Sequence, residues 1–102
     1  MQRQGKDDSL HKYKIFETNR FAQDIKLLAR SGRPQLEEKL HEYVYPQLKE
    51  EPHFGLNIKK LKGWTPTTWR YRVGNWRFFY IIDEDTRVVN IIAASHRKEA
   101  YR

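Results

Sequence analysis

The stretch Thr-Trp-Arg-Tyr-Arg-Val-Gly-Asn-Trp-Arg-Phe-Phe-Tyr-Ile-Ile, residues 68–82, decides the fold. Two runs rich in aromatic and β-branched residues flank Gly74-Asn75, the pattern of a β-hairpin closed by a two-residue type II′ turn with glycine first. In such a hairpin Val73 faces Trp76, Arg72 faces Arg77, Tyr71 faces Phe78 and Arg70 faces Phe79. Because side chains alternate along a strand, Arg70, Arg72 and Arg77 share one sheet face with Phe79. Trp69, Tyr71, Phe78 and Tyr80 share the other and are expected in the core. Like charges directly opposed across a sheet cost roughly 0.2–1 kcal/mol per pair, so a sequence built only for stability would put Glu or Thr opposite Arg72. A bound anion is the simplest compensation. The alternative is an ordinary solvated strand face, although such faces usually mix signs and this one does not.

Charge outside the hairpin supports the same view. Residues 57–80 carry Lys59, Lys60, Lys62, Arg70, Arg72 and Arg77 and no acid, and so account for six of the formal net charge of +7. Residues 10–51 carry eight basic and seven acidic side chains and look like scaffold. Basicity this local, interleaved with Trp64, Trp69, Tyr71 and Trp76, suits a polyanion.

At 102 residues the chain is long enough for one compact core, with residues 1–9 expected as a mobile polar leader and residues 10–102 as one domain. No apolar run approaches the ~18 residues of a membrane span, and the N-terminus lacks a signal-peptide core, so a cytoplasmic protein is expected. With no cysteine there is no disulfide, thiolate nucleophile or thiolate metal site. His11, His41, His53 and His96 match no metal-ligand spacing, and His53 reads as an exposed loop residue. Gly55, Gly63 and Gly74 are isolated and form no phosphate-cradling loop. No metal and no cofactor is expected.

Working outward from the hairpin, Tyr13-Lys-Ile-Phe16 reads as a short strand, and Thr18 as an N-cap. Phe21, Ile25 and Leu28 recur at helical spacing up to Ser31-Gly32. A second helix starts near Pro34 and runs through Leu36, Leu40, Tyr43 and Val44, with Pro46 kinking or shortening it. Leu56 to Leu61 reads as extended, Gly63-Trp-Thr-Pro66 as a turn, Asp83-Glu-Asp-Thr86 as another, and Val88 to Ala94 as a final apolar strand. The order predicts an α+β fold: two N-terminal helices packed on one face of a mainly antiparallel sheet, the other face free for the arginines.

Arg70–Ile82, followed by Val-Val-Asn-Ile-Ile-Ala-Ala-Ser-His-Arg-Lys-Glu-Ala-Tyr-Arg (88–102), resembles the C-terminal half of RelE-type toxins of toxin–antitoxin pairs. Lys59-Lys-Leu-Lys-Gly63 resembles the basic segment that precedes the family's hairpin. The resemblance covers about residues 11–102 and implies a RelE-like fold. It also implies a ribosome-dependent endoribonuclease that cuts messenger RNA, held in check by a cognate antitoxin, with the ribosome and mRNA as its other partners. Carried over residue by residue, Arg70, Arg72 and Arg77 match the basic hairpin positions, His96-Arg97 the basic pair ending the last strand, and Tyr101 a C-terminal tyrosine.

The implied reaction is attack of an RNA 2′-hydroxyl on the adjacent phosphate, which requires holding the phosphate, accepting a proton and supplying one. Arg70, Arg72, Arg77 and Arg97 stay protonated and can stabilise phosphate charge without acting as bases. The acceptor is therefore His96, whose imidazole titrates near ~6.5 when unperturbed, or Tyr101, near ~10, which could instead stack on a base. Lys59, Lys60 and Lys62 are expected RNA contacts, and Phe79 a stacking contact. Two alternatives stand beside the ribonuclease: a ParE-type toxin that inhibits gyrase, and a non-catalytic RNA-binding relative.

Overall fold

A computed structural model describes residues 12–96. Residues 1–9, Arg97 and Tyr101 lie outside the described residues. Within them, strand β1 (Lys14–Glu17) leads to helix α1 (Asn19–Arg30). Helix α2 (Gln35–Lys39) passes through a π-helical turn (Leu40–Val44) into α3 (Tyr45–Glu50). Strands β2 (Ile58–Lys60), β3 (Trp69–Val73), β4 (Trp76–Asp83) and β5 (Val88–His96) complete the order. They form one five-stranded sheet, β1-β5-β4-β3-β2, antiparallel except where β1 runs parallel to β5.

Local signals set the helix ends. The Thr18 hydroxyl accepts from the Phe21 N–H at 3.2 Å and donates to the Ile91 carbonyl, so one side chain caps α1 and ties it to β5. Gly32, at φ +96°, ends α1 with the left-handed residue that glycine adopts without a Cβ penalty. Pro46 acts otherwise than a helix terminator. It lacks an N–H and its ring crowds the preceding turn, and the chain meets this by widening one turn: the Tyr45 N–H reaches back five residues to the Leu40 carbonyl before α3 resumes.

The core lies between the helices and one sheet face. Phe21 and Ile25 of α1, with Leu36, Leu40, Val44, Tyr45 and Leu48, pack on Tyr71, Phe78, Tyr80, Val89 and Ile91. Phe21 meets Phe78 edge to face at 6.4 Å. Two buried hydroxyls find partners, as burial demands: Tyr80 donates to the Pro52 carbonyl at 2.7 Å and Tyr45 to the Glu17 carboxylate. Burial first, and for Tyr45 the bond to Glu17, pushes both phenols well above the usual tyrosine range, so both remain neutral donors.

The hairpin has the expected register: Arg70↔Phe79, Tyr71↔Phe78, Arg72↔Arg77 and Val73↔Trp76. Gly74, at φ +57°, takes the position a type II′ turn reserves for a positive φ. The final strand runs two residues beyond the expected Ala94, and its pairing with β4 slips by one residue between Phe79 and Tyr80. There Tyr80 opposes Ile91, while Phe79 opposes Ala93, which leaves Ile92 as the extra residue of a β-bulge.

Candidate functional site

The bulge decides which β5 residues meet the arginines. Beyond it Ser95 opposes Arg77, and His96 opposes Trp76 on the helix-side face. An unbulged ladder would have put Ala94 opposite Arg77 and His96 on the arginine face. His96 instead packs its ring against Trp76 at 5.0 Å. The expected convergence of His96 with Arg70, Arg72 and Arg77 is therefore corrected. One inserted residue in the ladder exchanged the faces.

The arginines themselves do share a face, and β2 extends it. Lys59 opposes Arg70 in the β2–β3 ladder, so Lys59, Arg70, Arg72 and Arg77 form one cationic patch across three strands. Asp83, the acid on this face of β4, lies six residues from Arg77, about 20 Å along the strand. Within the patch Arg72 is exposed and its Nε donates to the Gly74 carbonyl at 3.3 Å. Arg70 is half-buried; one terminal nitrogen donates to the Asn57 carbonyl at 3.3 Å, and its buried Nε has no hydrogen-bond partner. The fixed charge and planar fork of an arginine suit phosphate oxygens. Ser95 adds a hydroxyl beside Arg77 that sequence reasoning passed over, because the bulge that brings it there has no sequence signature.

The remaining expected contacts divide. Lys60 opposes Trp69, and its ammonium lies 6.0 Å from that ring, on the other side of the ladder from Lys59. Lys62 is exposed in the loop that follows. Phe79 does not offer an open ring: it is 4% exposed and stacked beneath Trp64, with centroids 5.7 Å apart and planes inclined by 13°. The 61–68 loop thus folds back over the outer face, anchored by buried Leu61 and Thr68, and the exposed aromatic there is Trp64. The signal for this was the tryptophan inside Lys60-Leu-Lys-Gly-Trp64, read from sequence as part of a turn.

A second polar cluster also corrects an expectation. His53 is half-buried, and both ring nitrogens face carboxylates: Nδ1 lies 3.0 Å from Glu51 and Nε2 2.6 Å from Glu84. Glu84 in turn accepts from the Tyr13 hydroxyl at 2.9 Å, and Arg87 lies over the Tyr13 ring. A neutral imidazole has one N–H and can donate to only one carboxylate; the imidazolium donates to both. Burial works against the charge on His53, but the bonds to Glu84 and Glu51 outweigh it and raise its pKa. Hydrogen bonds from His53 lower both carboxylates. This cluster ties the loop after α3 to the β4–β5 turn and to the start of β1.

Among the described residues no group of three or more His, Asp or Glu side chains could hold a metal ion, and no helix is long and apolar enough to cross a membrane.

Residues 15–101 match the family described as the ParE toxin of type II toxin–antitoxin system, parDE. The chain belongs to this family, within the RelE/ParE superfamily of toxins. Among solved structures it is similar to the toxin–antitoxin complex RelBE2 from Mycobacterium tuberculosis, at 24% identity over 85% of this chain and 93% of that one, with a TM-score of 0.68. A variant of the Escherichia coli toxin RelE in the free state, carrying two arginine-to-alanine substitutions, is 25% identical over 88% and 87% of the two chains, TM-score 0.60. The archaeal RelE–RelB complex from Pyrococcus horikoshii shares the fold at 18% identity, TM-score 0.57, over 85% and 97%. No curated protein matched the chain in sequence.

Proposed function

We propose that this toxin is a ribosome-dependent endoribonuclease that inhibits translation in the cytoplasm by cutting mRNA, and that a cognate antitoxin restrains it. One observation carries the reading: Lys59, Arg70, Arg72 and Arg77 occupy one sheet face in register, with no acid among them. That patch suits the phosphate at which the RNA 2′-hydroxyl attacks, and arginine serves it best because its charge survives at any physiological pH. With His96 on the helix-side face, the proton acceptor in this proposal is Tyr101, with Arg97 as a further phosphate contact. The antitoxin is supported by the likeness to toxin–antitoxin complexes. Its expected form is an acidic segment that folds on binding.

The match to the ParE family favours a second reading, inhibition of gyrase. Toxin added to a translating extract should yield cut mRNA and leave gyrase supercoiling unaffected; the reverse pattern establishes the gyrase reading. Tyr101→Phe should bind ribosomes normally and slow single-turnover cleavage by roughly 10²–10⁴-fold. An unchanged rate removes Tyr101 from the chemistry.

A further inference from the structure

The Trp64–Phe79 stack is an unusual use of a large aromatic. Trp64 stays 41% exposed, while its ring lies nearly parallel to that of buried Phe79. Shielding Phe79 from water needs only an aliphatic side chain. A tryptophan stacked on a fixed ring is instead a rigid π surface whose orientation is set in advance, and such surfaces hold unpaired bases without reading their sequence. Its neighbours suit the rest of a nucleotide. Phe79 opposes Arg70 in the ladder, so the stack adjoins the cationic patch. Trp64 also lines a cleft of about 430 Å³ with Lys60, Leu61, Lys62, Gly63 and Thr67, and exposed Lys62 belongs to the same loop as Trp64. Aromatic surface, Lys62 in the same loop and the adjoining Arg70 form a set that recognises a base with a phosphate on either side.

We propose that Trp64, backed by Phe79, is a stacking platform for one unpaired nucleobase of single-stranded RNA, with Lys62 holding the phosphate on one side of that base and Arg70 the phosphate on the other. This deepens the RNA-cutting reading and rests on its claim that the cationic patch binds RNA. The platform fixes which nucleotide sits beside the arginines.

The test is fluorescence anisotropy of the full chain with three labelled probes of equal length and charge at fixed low salt: hexaadenylate, hexauridylate and an abasic ribose-phosphate hexamer. The wild type should bind hexaadenylate about tenfold tighter than the abasic probe, with hexauridylate between them, the order of stacking strength. Trp64→Leu, which still covers Phe79, should bring the hexaadenylate-to-abasic ratio close to one without changing abasic affinity. Trp64→Phe should keep most of the ratio, and the wild-type comparison of three probes stands even if the leucine variant fails to fold. A wild-type ratio of one, or a ratio that survives in Trp64→Leu, overturns the platform. So does a Trp64 that serves an antitoxin segment alone, since the ratio would then be one. If all three probes bind equally and Arg72→Ala weakens them together, the platform fails while the RNA-binding patch stands. If none binds, both fail.

Discussion

His53→Gln should destabilise the protein in a way that depends on pH. The wild-type imidazolium makes charge-assisted contacts at 3.0 and 2.6 Å to Glu51 and Glu84, whose side chains are 41% and 58% exposed. Solvent screening at that exposure limits each contact to roughly 0.5–1 kcal/mol, so the pair contributes about 1–2 kcal/mol. In a domain of this size ~1 kcal/mol moves the melting temperature by about 4–8 °C. At pH 5.5 the variant should therefore melt about 5–10 °C below wild type. The pKa of His53 is raised on folding, so its contribution is full below the unfolded value of 6.5 and is lost as pH rises through the folded value. Glu51 and Glu84 are lowered, so theirs is full above 4.5 and is lost as pH falls through their folded values. Stability from the cluster peaks between those limits, and by pH 8.5 the gap between wild type and variant should close to a few degrees. Thermal unfolding followed by circular dichroism from pH 4 to 9 measures it. A gap of the same size at pH 5.5 and 8.5 would refute the doubly donating imidazolium.

Other outcomes follow from single contacts. Arg77→Ala removes its like-charge pairing with Arg72, so stability by chemical denaturation should be unchanged or up to roughly 1 kcal/mol higher, while toxicity on induction is lost; a clearly destabilised variant would show that the other contacts of Arg77 outweigh that repulsion. Phe78→Ala empties the centre of the core beneath Phe21 and should cost about 3–5 kcal/mol, read from the urea midpoint, with a smaller loss pointing to collapse of the cavity. Thr18→Ala removes both the α1 cap and the bond to Ile91 and should cost roughly 1–2 kcal/mol, whereas Thr18→Ser should restore most of it.

The hairpin was legible because its information is local. Gly74-Asn75 specifies the turn, period two specifies the faces, and together they determine that Arg72 opposes Arg77 without reference to the rest of the chain. The helix boundaries at Thr18, Gly32 and Pro34 were legible for the same reason: caps and breakers act within one turn. Three features were decided only by tertiary structure. The bulge at Ile92 depends on how β5 fits against β4, with small Ala94 opposite large Phe78, and no residue type announces it; yet it carries His96 away from the arginines and brings Ser95 to them. His53 became a double donor because the chain places Glu84, thirty-one residues away, against its second nitrogen. Phe79 kept its predicted face and still lost its exposure, since the loop before the hairpin laid Trp64 across it. Alternation tells which way a side chain points from its strand, and long-range packing decides what it meets there.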